Sequence, residues 1–164
     1  MASLMLCDAM PAPIHPLVET AALWPATGAL IGLDLGTKTI GVAVSDPARR
    51  LATGVETVLR KNFTADAARL LALAQERAVV GWVLGLPLNM DGSEGPRAQS
   101  TRAFARNLAK LTELPIGFWD ERLSTAAVER ELIANDVSRA KRAERVDSAA
   151  AAFILQGAID AMTR

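Results

Sequence analysis

The sequence predicts an α/β domain with a mixed five-stranded sheet and helices on both faces. Three β-rich runs follow one another between residues 29 and 59. The hydrophobic period then changes to that of a helix, and two further short apolar runs alternate with helical segments. Three antiparallel strands followed by alternating helices and strands produce a mixed sheet that is covered on both sides.

The first 28 residues differ from the rest because they follow no sustained hydrophobic period. Prolines interrupt this stretch at positions 11, 13, 16 and 25. We therefore interpret residues 1–28 as an N-terminal extension whose order the sequence leaves open, and residues 29–164 as the folded domain.

Three strands are predicted at the start of that domain. Leu30–Leu35 and Thr39–Ser45 are β-rich, and Gly36-Thr37-Lys38 between them is typical of a hairpin connection. Leu51–Leu59 continues the pattern with alternating valine and threonine. These runs predict an antiparallel three-stranded unit.

The helical period begins after this unit. Apolar residues recur at helical spacing in Phe63–Arg77, and either Asn62 or Thr64 can cap that helix. The remaining predicted elements, in chain order, are a strand at Val79–Leu86, a helix at Pro96–Leu111, a strand at Leu114–Asp120, a helix capped by Ser124, and a last helix at Val146–Met162.

Composition narrows the possible chemistry. The 18 basic and 18 acidic side chains cancel, so any surface that binds nucleic acid must be local. Cys7 and His15 are the only residues of their types, which excludes an intrachain disulfide and a zinc cluster. A metal would have to be a hard cation bound by oxygens, such as Mg²⁺ or Mn²⁺. A single cysteine and the lack of a long apolar run favour a cytoplasmic protein without membrane contact.

Three acidic residues stand at positions where a site can be built. Asp34 lies inside the first strand, where aspartate is disfavoured, and Gly36 leaves room for a ligand to approach it. Glu121 directly follows the fifth strand, although an exposed loop charge would also suit that position. Asp147 opens the last helix, where it could instead be an N-cap.

The spacing around Asp147 favours a packed position. Asp147 shares a helix face with Ala151, Ile154 and Ala158, and the small residues nearby let this helix approach the sheet closely. An acid at the near end of that face could meet Asp34. Carboxylates brought together repel each other unless a divalent cation neutralises them, and two cations about 4 Å apart would promote phosphodiester hydrolysis.

Three stretches together resemble one family: "IGLDLGTKTIGVAVSD", "GLPLNMDGSEG" with "DERLST", and "VDSAAAAFIL". They are similar to the YqgF/RuvX family, relatives of the Holliday-junction resolvase RuvC. The resemblance covers residues 29–164 and implies a nuclease domain with a ribonuclease H-like fold. It further implies a hydrolase, a nuclease that processes the 5′ end of pre-16S rRNA in ribosome biogenesis.

The resemblance also implies the site. Its catalytic and metal-binding acids fall on Asp34, Glu121 and Asp147, with Mg²⁺ or Mn²⁺ as cofactor. RuvC-type enzymes carry a glutamate on the strand after the first helix, and here that strand, "VVGWVLGLPL", has no acid. Glu121 from the next strand is the natural substitute, and Asp91 in the adjacent loop is the alternative.

Basic residues near these acids are candidates for binding nucleic acid. Four of them lie within seven residues just before Asp147 and would contact the phosphate backbone without reading sequence. The predicted nucleic-acid-binding residues are Lys38, Arg122, Arg139, Lys141, Arg142 and Arg145.

Two other functions stay open at this point. One is a Holliday-junction-resolvase-like DNA endonuclease acting on branched DNA. The other is a non-catalytic module that binds RNA or ribosomal particles on a nuclease fold. Both monomer and homodimer are compatible with the sequence.

Overall fold

A computed structural model describes residues 11–122 and 148–163 in full and residues 139–147 by their backbone. The strands are β1 (Ile14–Pro16), β2 (Ala29–Leu35), β3 (Thr39–Ser45), β4 (Ala52–Leu59), β5 (Val79–Leu86) and β6 (Ile116–Asp120). The helices are α1 (Leu17–Ala21), α2 (Phe63–Glu76), α3 (Pro96–Ala109) and α4 (Arg139–Met162). The predicted helix after Ser124 falls outside the described residues.

The six strands form one mixed sheet in the order β1-β6-β5-β2-β3-β4. Strands β2, β3 and β4 pair antiparallel, as the hairpin signals predict, whereas β2, β5, β6 and β1 run parallel. Parallel neighbours need crossover connections, which α2 and α3 provide. The predicted α/β architecture is confirmed, but the sheet has six described strands rather than five.

The additional strand comes from the N-terminal segment. Ile14–Pro16 pairs with β6 in parallel register, and the amide of Ile116 donates to Pro13 O at 2.9 Å. The Trp24 indole is buried over Gly81 and donates to Pro115 O at 3.0 Å. Residues 11–28, whose order the sequence left open, are thus packed onto the sheet. Residues 1–10 fall outside the described part of the chain.

Helices cover both faces of the sheet. Buried residues of α2 and α3, among them Leu70 and Leu108, pack with Ile31 and Leu33 on one face. On the other face, α4 contributes Ala151, Ile154 and Leu155. A Cβ at Gly32 would lie 2.8 Å from the Cβ of Leu155, so glycine in β2 lets α4 approach closely. In the described ranges no helix is long and apolar enough to cross a bilayer.

Candidate active site

Asp34 lies near the end of β2, on the sheet face covered by α4. Its neighbours Leu33 and Leu35 are buried against the opposite face, and side chains alternate along a strand. Asp34 is half-buried, so its carboxylate is partly withdrawn from water. The strand therefore presents one charged group at the edge of an apolar layer.

Glu121 follows the last residue of β6, and its backbone amide donates to Leu86 O at 3.3 Å. This bond extends the β5–β6 pairing by one position and fixes where the side chain leaves the sheet. The carboxylate lies over Gly85 of β5, where an added Cβ would be 2.5 Å from Glu121 Oε2. Glycine at position 85 is thus required for the observed placement of Glu121.

The Asp34 and Glu121 side chains are hydrogen-bonded to each other. The pKa of Glu121 is raised to about 7, first because burial disfavours its charged form and then because of the negative charge of Asp34. The positive charge of Arg97 acts in the opposite direction. A hydrogen bond between two carboxyl groups requires a proton, which the raised pKa of Glu121 allows the pair to keep near neutral pH.

Asp147 is located inside α4, one turn before Ala151. The helix begins at Arg139 rather than at the predicted Val146, so the N-cap interpretation of Asp147 is wrong. Ala151 and Ile154 are buried against the sheet, as predicted for the face that includes Asp147. The Asp147 side chain is not among the described ones, and its predicted convergence with Asp34 stays a prediction.

Asp91, the alternative acid, is engaged within its own loop. Its carboxylate accepts hydrogen bonds from the Ser93 amide at 2.9 Å and the Ser93 hydroxyl at 2.6 Å. These bonds lower the pKa of Asp91, as expected for a carboxylate that holds a turn. The acid in contact with Asp34 is Glu121.

The predicted basic residues lie in different settings. Lys38 is exposed at the β2–β3 hairpin, which suits phosphate contact. Arg122 binds the Asp120 carboxylate through Nε at 2.7 Å, and its Nη1 donates to Met90 O at 3.4 Å. The side chains of four further predicted residues lie outside the described ones, namely Arg139, Lys141, Arg142 and Arg145.

Two features of this site have little signal in the sequence. Gly85 makes room for Glu121, and Arg97, at the start of α3, supplies the positive charge near it. Gly36 has a tight backbone environment, because an added Cβ would lie 3.0 Å from Thr39 O, and its predicted role in ligand approach stays a prediction. Gly36 closes the hairpin by donating its amide to Thr39 O at 2.8 Å.

The donor set suits a hard cation but is incomplete in the described part. No cluster of three or more Asp, Glu, His or Cys side chains that could hold a metal ion occurs among the described residues. Asp34 and Glu121 supply carboxylate oxygens, which are the ligands that Mg²⁺ and Mn²⁺ prefer. A further ligand would have to come from another segment, and α4 is the nearest predicted source.

Comparisons with known proteins agree with this architecture. A family model described as "RuvX: Holliday junction resolvase" matches residues 28–161. A protein of Rhodopseudomonas palustris (strain BisA53), named "Putative pre-16S rRNA nuclease", is 85% identical over 92% of this chain and 93% of its own. A protein of Bradyrhizobium sp. (strain ORS 278) with the same name is 79% identical over 94% and 96%.

A solved structure shows the same fold. Thermus thermophilus RuvC, in complex with a Holliday junction substrate, superimposes with a TM-score of 0.55 at 16% sequence identity. The match covers 83% of this chain and 96% of that one. The expected ribonuclease H-like fold is therefore confirmed, and so is the family resemblance seen in the sequence motifs.

Proposed function

The chain belongs to the RuvX family, and we therefore propose that it is a metal-dependent nuclease that hydrolyses phosphodiester bonds. The observation that carries this proposal is the contact between Asp34 and Glu121. Two carboxyl groups in contact at the ends of β2 and β6 gain little for folding, because either Glu121 must keep a proton well above its ordinary pKa or the two negative charges repel each other. They are useful when a cation lies between them.

The residues present fit a divalent cation. Partial burial and the negative charge of Asp34 raise the pKa of Glu121. A cation bound to both acids would offset the repulsion between their two carboxylates. We assign Asp34, Glu121 and Asp147 as the acids that would hold Mg²⁺ or Mn²⁺. When bound, the cation would activate a water molecule and stabilise the leaving oxygen of the phosphodiester.

The chain's own groups would prepare the site for this chemistry. Arg97 partly offsets the negative charge of Asp34 and Glu121, called the acid pair below, and can approach a phosphate oxygen from the α3 side. Lys38 and the α4 cluster of Arg139, Lys141, Arg142 and Arg145 would contact backbone phosphates. Arg122, held by Asp120, would do so from the other side of Glu121.

The proposed substrate is the precursor of 16S rRNA, cut at its 5′ end during ribosome maturation in the cytoplasm. Its support is the name carried by relatives that are 79–85% identical over more than nine-tenths of this chain. Branched DNA is the second candidate, because the family model is described as a Holliday junction resolvase. Binding to ribosomal particles would follow from the first candidate.

A side-by-side cleavage assay tests the proposal. The protein is incubated with a precursor-rRNA 5′ end and with a four-way DNA junction, each with Mg²⁺, with Mn²⁺, and with EDTA. We expect metal-dependent cleavage of the RNA and slower or no cleavage of the junction. Preferential junction cleavage would favour the resolvase function. Binding of RNA that needs no metal and never leads to cleavage would identify a non-catalytic module.

A further inference from the structure

A polar pocket of about 440 Å³ opens beside the acid pair. Its walls come from the end of β2 and the following hairpin, from residues 60–63 before α2, and from the first turns of α2 and α3. Neither Asp34 nor Glu121 lines it. The pocket nevertheless borders their site, because Gly36 in its wall is at most about 7 Å along the chain from Asp34.

The charges that line the pocket are mostly positive. Arg60, Lys61 and Arg97 are basic, and Asp66 is the one acidic lining residue. The buried Asp66 carboxylate accepts a hydrogen bond from the Lys61 amide at 3.0 Å, so it holds the loop in place. Three positive charges against one negative charge leave an excess of two, which favours an anion.

Hydrogen bonds hold residues 60–63, the loop that carries Arg60 and Lys61, in place. Arg60 donates from Nη1 to Gly36 O at 2.7 Å, and its guanidinium lies 5.8 Å from the ring centroid of Phe104. The Arg60 amide also donates to Lys38 O at 2.9 Å. Asn62 caps α2 by accepting from the Ala65 amide at 2.9 Å. A loop whose backbone is already ordered loses little entropy when the site binds a ligand.

A buried hydroxyl gives an independent indication of a ligand. Thr101 lines the pocket and is only 3% exposed. Within the described part of the chain, no other residue forms a hydrogen bond with its side chain. Burying a hydroxyl without a partner is costly, and an acceptor oxygen in the pocket would remove that cost.

We propose that this pocket binds a phosphate group of the substrate strand, next to the phosphate that is cleaved. Lys61 and Arg97 supply the charge, Arg60 shapes the wall, and Thr101 donates its hydroxyl to a phosphate oxygen. The proposal rests on the proposed nuclease function, because it takes the ligand to be the same strand. The pocket would then fix the register of that strand relative to the acid pair.

The test measures binding of a short single-stranded RNA in EDTA by fluorescence anisotropy. Lys61→Gln and Thr101→Val should each weaken binding roughly five- to tenfold. The matched control is Arg77→Gln, which removes one positive charge at the other end of α2, about 20 Å away, and should change affinity less than about twofold. Lys61 and Arg77 are both exposed, so neither change should disturb folding.

A scan with neutral methylphosphonate linkages identifies the phosphate. At one internal linkage the neutral replacement should weaken binding to the wild type but not to Lys61→Gln. The neutral linkage removes the phosphate charge and Lys61→Gln removes its partner, so either change alone already abolishes this ion pair. RNAs with and without a 5′-phosphate form the second arm. Dependence on that terminal group would support the pocket and assign it to a strand end instead.

Two results separate this proposal from the proposed function. The first result is that the wild type cleaves RNA, that Lys61→Gln and Thr101→Val bind it like Arg77→Gln, and that no methylphosphonate linkage affects the wild type more than Lys61→Gln. This result would overturn the pocket proposal and leave the nuclease function standing. The second result is that one neutral linkage weakens binding to the wild type but not to Lys61→Gln, while the wild type never cleaves. The phosphate subsite would then stand and the nuclease function would fail.

Discussion

Carboxylates of this protein occur in two contrasting environments. Glu56, Glu94 and Asp120 each face an arginine, and hydrogen bonds from that arginine lower their pKa. Glu121 faces another acid, and its pKa is raised to about 7. Glu94 is exposed, and Glu56 and Asp120 are half-buried like Glu121, so the partner rather than the exposure separates the two environments.

The contrast indicates what each group is for. An exposed ion pair satisfies its own charges and contributes little to stability. Two acids in contact leave a negative charge that no basic partner in the pair compensates. Groups whose pKa is shifted in this way cluster at functional sites. The predictions below test this difference, from the largest expected effect to the smallest.

Removing the charge of Asp34 should have the largest effect. We expect Asp34→Asn to lower metal-dependent cleavage by more than about 100-fold, because it removes a proposed metal ligand while keeping the side-chain shape. The measurement is the cleavage rate of the precursor-rRNA end at saturating Mg²⁺ or Mn²⁺, with folding checked by circular dichroism.

Asp46→Asn is the matched control. Asp46 holds a turn at the opposite end of the sheet by accepting from the Arg50 and Leu51 amides, and an asparagine oxygen can still accept these bonds. Its cleavage rate should equal that of the wild type. Equal rates for Asp34→Asn and the wild type would make Asp34 a structural residue.

Sequence patterns predicted the parts of the fold that local signals specify. The hairpin signal at residues 36–38, the period change at Phe63 and the short apolar runs after it predicted five strands and two helices close to their observed bounds. Strand β1 was missed because three residues among prolines have no period of their own. Its pairing with β6, about one hundred residues later, creates it. The early start of α4 was missed because its first turns are polar, and a polar helix gives no hydrophobic period.

The site was predictable to a similar degree. A charge in an apolar strand identified Asp34, and the position after a strand identified Glu121. Gly85 and Arg97 had no comparable signal, because their roles depend on neighbours from other elements. The same holds for the pocket, since Arg60 and Thr101 are 41 positions apart and meet only in the fold.

Neutralising Glu121 should stabilise the metal-free protein. The folded state keeps a proton on Glu121 up to about pH 7, whereas the unfolded chain releases it near the ordinary value of 4.5. Wild-type stability should therefore fall as pH rises from about 4.5 to 7. At pH 8 in EDTA, Glu121→Gln should raise the free energy of unfolding by roughly 1–3 kcal/mol, measured by urea denaturation.

The glutamine can donate to Asp34 as a protonated acid can, so the contact is kept. Glu113→Gln, the same change at an exposed glutamate, is the matched control and should not raise the free energy of unfolding at pH 8. Addition of Mg²⁺ at pH 8 should stabilise the wild type more than Glu121→Gln. Identical pH profiles for these two proteins would show that the repulsion does not act in the folded state.

The smallest effect is expected at the ion pair between β4 and α2. Glu56 accepts from Arg69 Nε at 2.8 Å and from Nη2 at 2.6 Å, but the two side chains are 30% and 43% exposed. Glu56→Gln should therefore cost less than about 1 kcal/mol of unfolding free energy, and less again in 1 M NaCl. Because the pairing lowers the pKa of Glu56, its contribution is present above about pH 4.5 and is lost on acidification, opposite to the trend at Glu121. Urea denaturation at pH 3 and pH 8 measures both the size and the sign. A loss above about 2 kcal/mol, or a fall in cleavage rate at matched folding, would mean that a paired surface carboxylate matters as much as the acid pair.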